Sequence, residues 1–386
     1  MEIILWTVAV LLLAQLLFAV WNVRQLPLFE QLGQAEAPLK PISKLAAEEN
    51  VRLSILIPAR NEERHMAHCL YAIQQCLSDE HEVEIVVLDD RSEDDTARII
   101  EEFVKQDKRF RFISGQELPI GWIGKAYACH QLSVAAKGAW FLFIDADARM
   151  QPGAIETVLR ATAVRQTGLL TGFPYQQTKS WLERLVVPMM GFTIACHLPI
   201  KLVSNSTDPR FSAAHGAWIV VNRETYEAAG GHAANFAHLV DDLALIQAVK
   251  RIGHHVVLAD VRNQVSMRMY QNASEVWNGY KKNIFAGVGR SGLLLFMVLF
   301  VYSVLYVLPF AALIAVPWNP ALLASALTGY LLGTAVKAVS DRAGGQSVWL
   351  APLIPFSIGA VIAIGTASWL SAKAGKGYVW KGRSYE

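Results

Sequence analysis

The sequence predicts an α/β domain built on a parallel sheet, with membrane helices before and after it. Three observations carry that reading. Residues 3–21 hold no charged side chain, short apolar runs alternate with helical patterns from Val51 to about Lys250, and long apolar stretches return after residue 290. The 386 residues are 53% hydrophobic with a mean hydropathy of +0.29, too apolar for a wholly soluble chain. The net charge of +2 carries no long single-sign block, which excludes a nucleic-acid groove or a disordered acidic tail. Four cysteines (Cys69, Cys76, Cys129, Cys196) lack C-x-x-C spacing and read as free thiols in a reducing compartment.

The first element is the run "IILWTVAVLLLAQLLFAVW", long enough to span a hydrocarbon core of roughly 30 Å. A signal peptide is the competing reading. It would need a basic n-region, a shorter apolar core and a small-x-small cleavage site, none of which is evident here. Residues 1–24 are therefore an anchor and 25–50 a linker. Arg24, Lys40 and Lys44 follow the helix, so the positive-inside rule puts the downstream side in the cytoplasm.

Residues 53–58 (LSILIP), 83–88 (VEIVVL), 110–113 (FRFI) and 140–144 (WFLFI) read as strands. Between the second and third lies a helical pattern over 92–106, with Ser92 as its cap and acids in its first turn. Ligands of parallel sheets sit at the carboxyl ends of the strands. Those ends carry Pro58, Ala59, Arg60, Asn61 and Glu62 on the first, Asp89 and Asp90 on the second, and Asp145 and Asp147 on the fourth. At a strand end, residues i and i+2 project to one side, so Asp145 and Asp147 aim together. Mg²⁺ or Mn²⁺ is held by one or two carboxylates plus substrate phosphates, which suits D-x-D to a metal bridging a diphosphate. Taken alone, D-A-D is also an ordinary polar strand terminus. Asp241 and Asp242 likewise open an amphipathic helix, where acids stabilise an N-terminus.

The ordered set P-A-R-N-E-E, L-D-D-R-S-E-D-D-T, D-A-D and D-D before an amphipathic helix resembles the inverting family 2 glycosyltransferases of GT-A fold, over about residues 51–290. A narrower likeness, in "ELPIGWIGKAYACHQ" (117–131), "MRMYQNASEVWNGYKKNIFAG" (267–287) and "GYVWKGRSYE", points to the membrane-anchored branch associated with hopanoid or carotenoid-type lipids. The resemblance implies that Asp90 reads the uracil of a UDP-sugar, with Pro58, Ala59, Asn61 and Glu62 shaping the same pocket. It implies Asp147 as the direct metal ligand, with Asp145 nearer the ribose or a metal-bound water. Asp242 matches the general base, and Asp241 stands where the family has Glu.

That chemistry needs these parts: a cation offsets the charge of a diphosphate leaving group, and a carboxylate takes the acceptor's proton. One base and no protein nucleophile implies inversion. Lys125 in "GWIGK" brings an ammonium to the diphosphate, or is a solvated lysine on a turn; Ala126 after it rules out a P-loop. The resemblance implies that His215 and Gly216, in the segment 213–232, line the donor sugar and that Arg268 joins the donor-binding set; the same segment also reads as a buried strand followed by a helix capped at Gly230 or Gly231. Processive synthases carry Q-x-x-R-W in that region, whereas Gln264 here precedes Arg268 by four and Tyr270 follows, which argues for a single transfer. The histidines at 65, 68, 254 and 255 form no closed four-ligand zinc pattern.

Residues 291–318, 321–339 and 349–370 are three further candidate spans within a membrane region at 291–372, followed by a basic tail at 373–386. One span before and three after a cytoplasmic domain would put that tail outside, against its Lys373, Lys376, Lys381 and Arg383. Lys337, Pro352 and Pro355 make the second and third stretches the suspects. Residues 185–203 are apolar but hold two prolines and a histidine, and read as an interfacial element or a buried helix pair. The expected partners are a nucleotide-sugar donor, a lipid acceptor and membrane lipids, with no nucleic acid. A polysaccharide synthase and a membrane scaffold with a decayed site are the competing functions.

Overall fold

The structure, a computed structural model, describes residues 1–33, 51–374 and 378–385. Lys40, Lys44 and Lys376, used above for orientation, lie outside the described residues, as does most of the 25–50 linker. The chain forms two compact units: Leu26–Tyr175 with Ile200–Arg268, and Met1–Gln25 with Gln176–Pro199 and Met269–Glu386.

The first unit is organised by a seven-stranded sheet. The apolar runs become β1 (Leu53–Ala59), β2 (Val83–Asp89), β3 (Phe110–Ser114) and β4 (Trp140–Phe143), joined by β5 (Leu169–Phe173), β6 (Ile219–Asn222) and β7 (Val256–Asp260). Their order is β3-β2-β1-β4-β6-β5-β7. β1 pairs in parallel with β2 and β4, β2 with β3, and β5 with β7. The expectation of a parallel sheet meets one exception, because β6 runs antiparallel to both β4 and β5. Ile55, Leu56, Ile57, Val86, Val87, Phe141 and Leu142 are fully buried, as strands covered on both faces require.

Two polar residues inside these runs are paired. Ser54 Oγ donates to Glu84 Oε1 at 2.6 Å and accepts from the Gly138 amide at 2.8 Å, while Arg111 and the Lys137 amide also meet Glu84. This network fastens β1, β2, β3 and the entry to β4 at the end of the sheet away from the polar strand ends. The helix after β2 begins at Thr96, not Ser92. Ser92 does not cap it, because its Oγ accepts from the Asn61 amide at 2.9 Å.

Among the described residues, the second unit contains four helices long and apolar enough to cross a membrane: Glu2–Val23, Gly292–Ile314, Pro320–Ala343 and Val348–Lys373. Leu5 packs with Ala312, Leu322 and Ala326, whereas Leu12 packs with Tyr302, Tyr306 and Val336. The first helix therefore runs antiparallel to Gly292–Ile314 and parallel to Leu323–Ala343. Phe356 meets Phe310 with ring centroids 5.5 Å apart, and a Cβ at Gly292 would lie 2.9 Å from Trp369 Nε1. Ile354–Lys373 thus also runs antiparallel to Gly292–Ile314. The chain turns back after Ala343, and the 3-10 segment Val348–Leu353 packs along Leu323–Ala343, its Pro352 carbonyl accepting from Tyr330 Oη at 3.0 Å.

That return explains the conflict over the tail. Lys373 emerges level with Gly292 and Val23, not with Trp318. The suspect Lys337 does not interrupt its helix, because it pairs with Asp341 one turn on, both side chains nearly inaccessible. Residues 185–203 contribute the helix Met189–His197, whose Met189, Phe192 and Cys196 are buried against Val8, Leu12, Tyr302 and Tyr306. Asn22 Nδ2 caps it, donating to the carbonyls of Ala195 at 3.0 Å and Leu198 at 2.7 Å. One face of this stretch is therefore taken by the bundle.

A cysteine replacing Trp318 and a tag after Glu386 should react with impermeant reagents from opposite faces of sealed vesicles. Reaction of both from one face would mean that the last two stretches each cross completely in alternation.

Candidate active site

The ends of β1 and β2 are clasped to each other. Arg60 is buried and its Nη1 donates to the carbonyls of Asp90 and Arg91, each at 2.7 Å. The Glu93 amide donates to Asn61 Oδ1 at 2.9 Å, the Glu62 amide to Thr96 Oγ1 at 2.8 Å, and the Asp90 amide to the Ala59 carbonyl at 2.7 Å. Pro58 and Ala59 sit opposite Leu88 and Asp89 in the β1–β2 register. Asn61 and Arg91 both take positive φ, 51° and 58°, to make these bonds. The predicted cluster is thus assembled, with one difference: the Asn61 amide oxygen works within the clasp.

Asp145 and Asp147 lie beyond β4, in a turn closed by Ala148 N–H donating to the Asp145 carbonyl at 3.0 Å. The alternation argument from an extended strand does not describe them. They are half-exposed while Ala146 between them is buried, so the turn still presents both on one side. Lys125 Nζ pairs with Asp145 Oδ1 at 2.7 Å. A Cβ at Gly216 would lie 2.7 Å from Lys125 Nζ, 3.6 Å from Asp145 Oδ2 and 3.7 Å from Asp242 Oδ2. Gly216 is the point where three predicted residues from three segments meet, and a side chain there would separate them.

The charges of this cluster are mutually constrained. Burial opposes the Lys125 ammonium, but Asp145 and Asp241 outweigh it and hold its pKa well above the ordinary lysine value. Asp147 is pushed up to about 8 by burial, then by Asp145 and Glu62. Asp242 is raised to about 6 by burial and Asp241, against Lys125 and a hydrogen bond from the Leu243 amide at 2.7 Å. Burial lowers His215 to about 4, and its Nδ1 accepts from the Ala217 amide at 3.2 Å, so it is neutral with its proton on Nε2. Arg268 follows Val265–Met267, whose register against Ala148–Met150 carries it to the level of Asp147. Gln264 is occupied elsewhere, donating to Glu30 Oε1 at 2.7 Å.

Sequence reasoning missed the support behind Asp241. Tyr226 Oη accepts from the His232 amide at 3.0 Å and lies 2.8 Å from His232 Nδ1. Donation by the phenol to Nδ1 leaves the ring proton on Nε2, which faces Asp241 Oδ2 at 3.7 Å. Burial lowers His232 to about 4, so the ring beside Asp241 is a neutral imidazole, with Nε2 farther from Oδ2 than a direct hydrogen bond. Gly231, at φ +53°, makes room for the Tyr226 ring, since a Cβ there would lie 2.5 Å from it. The only local signal is the histidine that follows the glycine pair in "GGH" (230–232).

Two donor sets could hold a metal. Among the described residues, Cys129, His232 and Asp241 bring three donor atoms within 4.8 Å of one another, all buried. That set is soft and closed, and one nitrogen of its imidazole is tied to Tyr226. Asp145 and Asp147 offer only oxygens, keep some access to solvent, and the charge of Asp145 adds to burial in raising Asp147. A hard divalent cation relieves that repulsion, so this pair fits Mg²⁺ or Mn²⁺ better.

Residues 54–228 match the family model for glycosyl transferase family 2. The chain carries a family 2 glycosyltransferase domain. Over 247 residues it is 29% identical to the 4,4'-diaponeurosporenoate glycosyltransferase of Staphylococcus aureus, a match covering 61% of this chain and 62% of that one. The mannosyltransferase PcManGT of Pyrobaculum calidifontis, solved with GDP-Man and Mn²⁺, aligns over 97% of this chain and 99% of its own, with a TM-score of 0.55 at 15% identity. The transferase domain therefore has the GT-A fold, with the strand-end cluster at its usual position at the carboxyl edge of the sheet.

Gly216→Ala and Lys125→Met should each weaken nucleotide binding about tenfold, the worth of one charge-assisted hydrogen bond. Because both act through the same ammonium, the double variant should be no weaker than either single one in titration calorimetry. Additive losses would show that Gly216 matters for another reason.

Proposed function

We propose that this chain is a membrane-bound inverting glycosyltransferase that moves one sugar from a nucleotide sugar, in the first instance a UDP-sugar, to a hydroxyl or carboxylate of an apolar, polyprenoid-type lipid. The meeting of Lys125, Asp145 and Asp242 around Gly216 carries this reading, because it sets a fixed cation and a base against one small space. The apolar acceptor is supported by the S. aureus relative, whose name gives 4,4'-diaponeurosporenoate as what it glycosylates.

Asp90, fixed by the Arg60 clasp, takes the base of the donor, and Pro58 and Asn61 shape the pocket around it. Asp147 and Asp145 hold Mg²⁺ or Mn²⁺, which supplies positive charge against the leaving diphosphate. Lys125 stays protonated and supplies a second positive charge from the protein itself. His215, neutral with an Nε2–H donor, and Gly216 lie against the sugar. Asp242 takes the acceptor proton: raised to about 6, it is ionised at neutral pH yet more basic than an ordinary carboxylate. Asp241 flanks it, oriented by His232. With no protein nucleophile in the set, attack by the acceptor inverts the anomeric carbon. Engagement of Gln264 by Glu30 and the absence of Trp after Arg268 favour a single transfer over chain growth. Arg24 beyond the first helix and Lys373 at the end of the last favour a cytoplasmic face for these ends.

Purified protein in detergent should release UDP from one member of a panel of UDP-sugars, dependent on a divalent metal and on a total lipid extract. Asp242→Asn should retain donor affinity and lose on the order of 10² to 10⁴ in kcat. A fully active variant would remove Asp242 as the base.

The wild-type kcat/KM should fall about tenfold per pH unit below pH 6, where Asp242 becomes protonated and can no longer accept a proton. A profile flat down to pH 5 would contradict that assignment.

A further inference from the structure

Beside the cluster lies an apolar surface that the donor chemistry does not use. The segment after β3 turns at Gly121, where the Trp122 amide donates to the Pro119 carbonyl at 3.2 Å. It leaves Ile120 fully exposed, at 103%. The Trp122 ring stands 5.6 Å from Phe236, 5.4 Å from His130 and 5.1 Å from Tyr127. Phe236 is itself 40% exposed. The Ile123 amide donates to the Phe236 carbonyl at 2.9 Å, so the two loops form one shelf.

Both loops lead straight into the reacting groups. Trp122 is followed by Gly124–Ala135, whose second residue is Lys125, and Phe236 by Asp241–Arg251, which opens with Asp241 and Asp242. We infer that this shelf of Ile120, Trp122 and Phe236 is the acceptor subsite, holding the apolar chain of the lipid while its polar end meets Asp242. The inference rests on the transferase reading above. Three features support an apolar chain as occupant. Ile120 and Phe236 are large apolar side chains left in solvent together. The rings offer broad faces without charge, suited to an isoprenoid or polyene and not to a diphosphate. The shelf is continuous by chain and hydrogen bond with the base that must reach the acceptor, whereas the clasp that serves the nucleotide belongs to β1 and β2.

The test uses the full chain in detergent, Ile120→Ser and Phe236→Ser, and all-trans retinoic acid as an apolar polyene carboxylate. Binding of retinoic acid is read by quenching of tryptophan fluorescence, and turnover by UDP release from the UDP-sugar that proves active. The variants should bind retinoic acid at least fivefold more weakly. In turnover they should show a raised KM for retinoic acid with an unchanged KM for the donor. Equal binding by wild type and both variants overturns the proposal whether or not turnover is seen. A raised donor KM with an unchanged acceptor KM overturns it too, assigning the shelf to the nucleotide. Wild-type binding of retinoic acid that the variants lose, with no UDP release from any donor, would uphold the shelf as a site for an apolar chain while sinking the UDP-sugar transferase reading, and with it the acceptor role. Far-UV circular dichroism and the thermal midpoint separate either result from misfolding, and Ile120, with no buried surface to lose, is the cleaner variant.

Discussion

The arrangement of the site follows from one electrostatic constraint: carboxylates from two segments are gathered around a single ammonium from a third. Burial, and then the charge of a neighbouring carboxylate, raises Asp147 to about 8 and Asp242 to about 6. Lys125 answers part of that repulsion by pairing with Asp145. The remainder is available to a ligand. A hard cation at Asp145 and Asp147 lowers the repulsion there, and a diphosphate gives Lys125 a second anion to face. In the proposed reading, binding of a metal and a donor would draw partly on relief of a repulsion the fold has already built.

Much of this was legible because charge at strand ends is written locally. A strand-length apolar run that stops at Asp or Asn tells both where the strand ends and what sits on its edge, so β1, β2 and β4 and their polar termini could be read in order. The geometry within the termini was less legible. Asp145 and Asp147 looked like alternating strand residues, but the chain had already turned, and their common orientation comes from a hydrogen-bonded turn. Ser92 looked like a helix cap, yet its oxygen serves the neighbouring loop, a contact between residues 31 apart that no local rule can see. The same distance problem hid His232, whose partners Tyr226 and Asp241 lie on different elements, and the antiparallel β6, whose partners β4 and β5 are set by the sheet and not by its own four residues.

The membrane segments show a complementary limit. Hydropathy reports length and apolarity but carries no direction, so counting stretches forced a choice between an odd number of crossings and a tail on the unfavourable side. Direction became visible only through pairs such as Leu5 with Ala312 and Phe356 with Phe310. Lys337 misled for a related reason. A lone lysine in an apolar run argues against a span, whereas a lysine one turn from an aspartate is a neutralised pair whose desolvation the helix can tolerate.

Gly216 and Gly231 show how sequence economy and chemistry meet. Each is required by absence: a methyl group at Gly216 would push Lys125 off Asp145, and one at Gly231 would push Tyr226 off His232. The first glycine leaves room for the Lys125–Asp145 pair, and the second for the Tyr226–His232 pair behind Asp241. Gly216 lies just before β6, and Gly231 in the stretch between β6 and the helix of Asp241 and Asp242. The shelf residue Phe236 lies on that stretch as well, between Gly231 and the base. A shift of backbone there would move the support of Asp241, the approach of the acceptor and the base itself together. This coupling gives a physical reason for building the segment from small residues packed against fixed rings: its conformation must be set once, for three tasks, by the space available to it.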